Sequence, residues 1–366
     1  MSSNSKEKSE SIIWPSSNVL FPGALPCEPS KYVVGKKIIG YGSYSNVYEC
    51  KSKITGDHYA IKKYSKKLMY GLESMLQSEF QILKAISMNH NNILTLIDYF
   101  ETETELYLVT DLASGDLFSK IKCPSVFSDL EISLIIYTLL STIKYLHQNQ
   151  IIHCDIKPEN ILIQPNNSIL IADFGLAKHL KPNQKFFEKS GTLSYMAPEM
   201  LNKSGYDYGV DVWSIGVTAY YMMCGYMPFD CENDQETTEA ILSGDYSFEP
   251  EEYWNRSREA KDFVDCCFKV DPQQRCTIDE LLLHPFIQSS VLKNDLSNLS
   301  LCPKIDKSRK SSIGFGVTSQ GAFCYSPDVV SNLTSPVLSP NLSAKITPLI
   351  SPATSFTNLN SLHNNL

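Results

Sequence analysis

The sequence predicts an α+β protein of two lobes, a small sheet-rich one followed by a larger helical one, with a cleft between them. Three observations carry this. Between Tyr32 and Ile61 the chain shows β-type runs (YVVGKKIIG, SNVYECKS, HYAIKKY) separated by Gly-containing turns. From Leu72 to Ile86 the apolar residues Leu72, Met75, Leu76, Phe80, Leu83 and Ile86 fall at helical spacing. After Gly115 the pattern becomes mostly helical, led by a long apolar segment from Ile132 to His147.

Taken in order, residues 1–31 mix Ser, Pro, Lys and Glu without sustained periodicity and read as a flexible arm. The first strands and the helix at 72–86 are followed by two more strand-like runs, ILTLIDYF and ELYLVTDL. Ser128-Asp129 then marks a helix start. The stretches Ile132–Leu146 and Val212–Met223 are interrupted by polar residues and too short for a membrane span, so they read as buried core helices. The folded domain is expected over 32–286. Residues 287–366 contain no Glu, three Asp (Asp295, Asp306, Asp328) and six Lys or Arg, among abundant Ser, Asn, Leu, Thr and Pro. Such a segment buries too little apolar surface to offset the entropy of ordering it, and it reads as a disordered tail.

Composition narrows the function. The 366 residues are 43% hydrophobic and 20% charged, with a formal net charge of -8, a globular balance without the basic face of a nucleic-acid binder. An acidic surface favours basic peptides by Coulomb attraction. The 11 cysteines are scattered, with no CxxC pair to indicate zinc or redox chemistry, and read as thiols in a reducing compartment. The opening MSSNSKEKSESIIW has no apolar core of a secretory signal, so a cytoplasmic or nuclear location is expected.

Short motifs in one order carry the chemistry. Gly40-Tyr41-Gly42-Ser43-Tyr44-Ser45-Asn46-Val47 lies between two strands, where glycines let a hairpin backbone approach phosphate oxygens. Alone it is a common turn. Lys62 ends the strand Ala60-Ile61-Lys62, and a strand lysine is ordinarily a solvated edge residue unless an acidic partner holds it. Glu79, on the following helix, supplies that partner. The most specific element is His153-Cys154-Asp155-Ile156-Lys157-Pro158-Glu159-Asn160, followed by Asp173-Phe174-Gly175. A loop of solvated polar residues explains any one of these motifs but not the ordered series.

This series resembles the eukaryotic protein kinase family, Ser/Thr type, over roughly residues 32–286, and implies the bilobal protein kinase fold. In that family the Asp of the first motif accepts the proton of the substrate hydroxyl, while the Asn and the Asp of DFG hold magnesium. The resemblance therefore implies Asp155 as the base, Asn160 and Asp173 as metal ligands, and Lys157 as the lysine that steadies the γ-phosphate of ATP. Thr192, in Gly191-Thr192-Leu193-Ser194-Tyr195-Met196-Ala197-Pro198-Glu199, falls where the family places a hydroxyl near that Asp and Lys. Lys62, held by Glu79, would meet the α- and β-phosphates. Ile39, Gly40, Gly42, Ser43, Val47 and Ala60 would line the nucleotide site. LVTDL resembles the hinge, with Thr110 as gatekeeper and the backbone of Asp111 to Ala113 against adenine. Asp211, in DVWSIG, resembles the residue that caps the catalytic-loop backbone, and Arg275 the buried partner of Glu199.

The wording ASGDLF, DIKPENIL, DFGLAK and GTLSYMAPE is most similar to calcium/calmodulin-dependent-type kinases. No basic amphipathic helix follows Phe286, so calmodulin control is not expected. Many relatives have Arg where Cys154 stands, a buried cation that needs an activation-loop phosphate; a neutral Cys removes the need, and catalysis is expected without phosphorylation of residues 176–190. Glu188 occupies the phosphate's position but, lacking that Arg, reads as a solvated carboxylate. Asp116, Glu159 and Glu239 match positions that bind arginine before the target residue, which implies basic substrates. The tail offers Ser312 with Arg309 three residues upstream, and Ser/Thr-Pro pairs at Ser326, Ser335, Ser339, Thr347 and Ser351 suited to an upstream proline-directed kinase. The alternative is a pseudokinase scaffold. Ser45, Cys154 and a hinge one glycine short favour it, whereas the presence of Lys62, Glu79, Asp155, Asn160 and Asp173 opposes it.

Overall fold

Side-chain alternation along three of the first strands builds the frame on which the cleft residues sit. The structure is a computed structural model describing residues 31–42, 44–102, 104–121, 127–248 and 256–293. Ser43, the arm before Lys31, and the part of the tail carrying Ser312 and the Ser/Thr-Pro pairs lie outside these residues. Strands β1 (Tyr32–Tyr41), β2 (Ser45–Ser52) and β3 (His58–Ser65) precede helix α1 (Glu73–Ile86), followed by β4 (Leu96–Glu101) and β5 (Glu105–Thr110). They form an antiparallel sheet in the order β1-β2-β3-β5-β4. Its register sets Val47, Lys62 and Leu108 in one cross-strand row, and Glu49, Ala60 and Thr110 in another. Because side chains alternate, Ile61 and Val109 turn to the other face, where they form a small cluster with Cys50 and Phe100. Helix α1 presents Leu76, Phe80, Leu83 and Ile86 to the main core. Glu79 sits within that apolar stripe, almost fully buried.

The second lobe starts with the short strand β6 (Gly115–Asp116) and α2 (Leu117–Ile121), then α3 (Asp129–Gln148). Helix α3 begins where the sequence places it, closed by a reciprocal capping box in which Ser128 Oγ accepts the Glu131 N–H and the Glu131 carboxylate accepts the Ser128 N–H. The expectation of a mostly helical second half misses four further strands: β7 (Ile151–Ile152), β8 (Ile161–Ile163), β9 (Ile169–Ile171) and β10 (Lys178–His179). β6, β8 and β9 make one small sheet and β7 pairs with β10. Helices α4 (Pro198–Leu201), α5 (Gly209–Cys224), α6 (Asp234–Ser243), α7 (Arg258–Cys267), α8 (Ile278–Leu282) and α9 (Pro285–Lys293) complete it. Helix α5 is buried on nearly every side and ends at Gly225, whose φ of 77° supplies the left-handed cap. The lobes share one continuous apolar core, and the Ile93–Ile171 bridge joins the segment before β4 to β9.

One boundary moves. The tail was expected from residue 287, yet α9 runs on through Lys293, and Ile287 is fully buried beside Phe286 in the core. Burying that side chain outweighs the ordering cost at the start of the segment. Among the described residues no helix is long and apolar enough to cross a membrane.

Candidate active site

Lys62 and Tyr64 are two apart on β3, so both face α1. Lys62 Nζ lies 2.9 Å from Glu79 Oε1 and 3.5 Å from Asp173 Oδ1, while Tyr64 donates its hydroxyl to Glu79 Oε2 at 2.8 Å. Burial opposes the charge on Lys62, but Glu79, Tyr64 and Asp173 more than offset it and hold the ammonium well above the usual lysine range. Reciprocally, Lys62 holds the Asp173 carboxyl below its usual range, against the upward push of burial. The strand lysine is therefore a charged cleft group tied to one carboxylate in each lobe.

The loop 153–160 is fixed from below by α5. Asp211, fully buried in its first turn, accepts the N–H groups of His153 and Cys154 at 3.0 Å each and contacts His147 Nε2 at 2.8 Å. That clamp orients Asp155, whose Oδ2 meets Lys157 Nζ at 2.8 Å and accepts from Asn160 Nδ2 at 2.9 Å. Asn160 Nδ2 also donates to the Asp155 carbonyl at 2.8 Å. Thr192 closes the ring: its hydroxyl donates to Asp155 Oδ1 at 3.3 Å and accepts from Lys157 Nζ at 2.8 Å. Gly191 has φ 104°, and a Cβ there would meet the Cys154 carbonyl oxygen at 2.7 Å, so the two segments touch backbone to backbone. Asp173 also adopts a left-handed φ of 62°, a strained conformation for a residue with a side chain.

The structure thus brings together Lys62, Glu79 and Asp173 in one group, and Asp155, Lys157, Asn160 and Thr192 in another. Around them, Gly42 bonds across the hairpin to Ser45, its N–H on the Ser45 carbonyl at 2.8 Å, and a Cβ on Gly42 would lie 2.7 Å from Ser45 Oγ. A Cβ on Gly40 would touch Val47. Ala60 pairs across the sheet with Thr110, and the buried Asp111 accepts the Thr95 N–H at 3.3 Å. Ile39 is exposed and Ala113 half-buried. Glu199 and Arg275 form a bidentate, almost fully buried pair at 2.7 and 2.9 Å.

Sequence reasoning missed Tyr64, Lys178 and Tyr206. Tyr64 was within reach, since a period of two from Lys62 sets it on the same face. Glu188 is exposed, as the sequence suggested, but Lys178 Nζ lies 2.7 Å from its Oε1, a cation that the sequence reading did not supply. The mixed cluster of Asp262, Cys266 and His284 is close enough to suit a metal. His284 argues against one. Its Nδ1 accepts the Phe286 N–H, which leaves the proton on Nε2 facing Asp262, and both nitrogens are already used.

A glycine-bearing hairpin above a paired lysine, facing a carboxylate loop, is the plan of a phosphoryl-transfer cleft. The protein kinase domain model matches residues 32–287, and the chain belongs to that family. It is 44% identical over 296 residues to calcium/calmodulin-dependent protein kinase cmkB of Emericella nidulans, covering 78% of this chain and 73% of that one. Against calcium/calmodulin-dependent protein kinase type I of Schizosaccharomyces pombe it is 41% identical over 269 residues, covering 72% and 79%. Myosin light chain kinase A of Dictyostelium discoideum is 38% identical over 290 residues, covering 78% and 97%. The protein is a serine/threonine protein kinase, similar to the calcium/calmodulin-dependent protein kinases.

Proposed function

We propose that the cleft binds ATP with magnesium and passes the γ-phosphoryl group to serine or threonine hydroxyls of proteins that carry basic residues before the target. The supporting observation is the contact of Lys157 with both Asp155 and Thr192 in one cleft with the Lys62–Glu79–Asp173 group. In this reading the substrate oxygen attacks the γ-phosphorus, Asp155 takes the hydroxyl proton, and the bond to the β,γ-bridging oxygen breaks to release ADP. Lys157 steadies the moving phosphoryl group and Lys62 the α- and β-phosphates. Thr192 holds Asp155 and Lys157 in line. The Asp173 carboxylate and the Asn160 amide oxygen are hard oxygen donors of the kind magnesium takes alongside phosphates. The ion, when bound, neutralises charge on the β- and γ-oxygens.

Gly40, Gly42 and Ser43 would bring bare backbone to the phosphates. Ile39, Val47, Ala60 and the backbone of Asp111 to Ala113 would hold the adenine. Asp116, Glu159 and Glu239 are the acidic groups offered to basic substrates; Glu159 and Glu239 are exposed, while Asp116 also caps α2 through the Ser119 N–H at 2.6 Å. A signalling role in the cytoplasm or nucleus follows, with a proline-directed kinase acting on the segment after residue 293.

The test is transfer of labelled γ-phosphate to a peptide library. Asp155→Ala should lose on the order of 100- to 10,000-fold in turnover, the usual worth of a catalytic base. Peptides with Arg upstream of the target should be preferred. Wild-type protein that labels no serine or threonine with any divalent ion would defeat the proposal, and a preference for acidic peptides would defeat its substrate half.

A further inference from the structure

Two thiols meet at the end of α7 without belonging to any motif. Cys266 lies in the last turn of α7 and Cys276 just before α8, ten positions on and outside any CxxC spacing. The Cys276 N–H donates to the Cys266 carbonyl at 3.3 Å. That bond keeps the two Cα atoms within about 7 Å of each other, the reach of a disulfide. The side chains turn toward one another, with the Cys276 thiol inside hydrogen-bonding range of the Cys266 thiol. Both residues are half-buried and open to solvent, whereas Cys267 is fully buried against Gly216 of α5.

The surroundings give the pair unequal parts. Burial first, then the Cys276 thiol and the Asp262 carboxylate, push the Cys266 thiol up to about 12, with Lys269 opposing weakly. Asp262 is itself engaged by His284, whose Nε2 lies 3.2 Å from its Oδ2. Cys266 therefore stays protonated at neutral pH, and Cys276 is the thiol left to react first. Between the two cysteines stands Arg275, which grips Glu199 and donates to the carbonyls of Gly209 and Lys269. The rest of that segment, from Lys269 to Gln274, is exposed. A covalent bond across its base would tie the stretch carrying Arg275 to α7.

We propose that Cys266 and Cys276 are a modification site at which hydrogen peroxide forms an intrachain disulfide, stapling the Arg275 segment to α7. The Cys276 sulfur attacks one peroxide oxygen and the O–O bond breaks. The other oxygen leaves as hydroxide, takes up the Cys276 proton and becomes water. The Cys266 sulfur then attacks the sulfenic acid so formed. Its S–S bond forms as the S–O bond breaks, and the departing hydroxide takes the Cys266 proton as a second water. Two thiols thus lose two electrons, and one peroxide is reduced to two waters. A thiol reductant reverses the bond.

The test treats the full chain with hydrogen peroxide, blocks the remaining thiols with iodoacetamide and maps tryptic peptides by mass spectrometry. Cleavage after Lys261, Lys269, Arg275 and Lys293 separates residues 262–269 from 276–293. These two peptides should stay linked until dithiothreitol is added, with fragmentation placing the bond on Cys266 and the protein running as a monomer on a non-reducing gel. The melting temperature should rise by about 5 °C on treatment, the scale of closing a loop of about ten residues. Cys266→Ser and Cys276→Ser should each abolish the link and the rise; each variant's own untreated melting temperature is its reference, so a destabilised variant stays readable. Absence of the link, a link through Cys267, or a link only between two chains would overturn the site. A link that leaves the melting temperature unmoved would overturn the staple. Neither readout involves phosphoryl transfer, so failure here leaves the reading of the cleft standing.

Discussion

Cys154 has a φ of 64°, lies 6% exposed beneath Gly191, and spends its own N–H on Asp211. Burial, with Asp211 beside it, pushes its thiol well above the usual cysteine range. The thiolate is the reactive form, so the residue is chemically quiet despite its place next to Asp155. Native protein treated with iodoacetamide at neutral pH should carry label on the exposed Cys231 and none on Cys154; peptide mass spectrometry showing equal labelling would refute this. At this scale the grouping was legible. Lys62, Glu79, Asp155, Lys157, Asn160, Asp173 and Thr192 stand in motifs whose order leads one to expect a shared cleft, and the fold brings Lys62, Glu79 and Asp173 into one set and Asp155, Lys157, Asn160 and Thr192 into another. Lys178 and Tyr206 were not legible. Lys178 closes the DFGLAK wording with no role assigned to it, Tyr206 stands 28 residues further on, and only the approach of β10 to the segment between α4 and α5 makes them partners.

Helix α5 shows how an element's packing constrains a single position. A Cβ on Gly216 would lie 2.5 Å from the Cys267 Cβ of α7 and 2.9 Å from the Phe268 ring. Neither neighbour can yield, since both belong to the main core. Gly216→Ala should destabilise the protein by about 1–3 kcal/mol, the ordinary cost of overfilling a packed interior, in spite of alanine's better helix propensity. Chemical denaturation reads the change, and an unshifted midpoint would disprove the close approach. Long elements such as α1 and α3 were visible because their apolar spacing persists over several turns. Strands β6 to β10 have two or three residues each, too few for alternation to register. They exist because distant segments happen to lie side by side, which no local pattern records.

Across the whole molecule, the contact of α5 with the catalytic loop makes folding sensitive to acid. His147 and the backbone N–H groups of the loop hold Asp211 below the ordinary aspartate value of 3.8, overcoming burial, which raises it. A carboxyl depressed in the folded state stabilises the protein fully at neutral pH. The contribution fades as pH falls from about that ordinary value through the folded one. Asp211→Asn should therefore cost about 2 kcal/mol or more at neutral pH, the scale of hydrogen bonds to a charged group, and the gap to wild type should narrow below pH 3.8. Urea midpoints across that range measure it, and a gap independent of pH would exclude a charged Asp211. The two-lobed plan was legible from the order of strand-like and helical texture. The domain's end was not, because the polar composition after Phe286 hides Ile287, a single apolar residue whose burial depends on its neighbours in space. That one side chain has a practical meaning for anyone who trims the polypeptide: a cut after Phe286 would uncover an apolar socket and invite precipitation, whereas a cut after Lys293 would leave the plug in place.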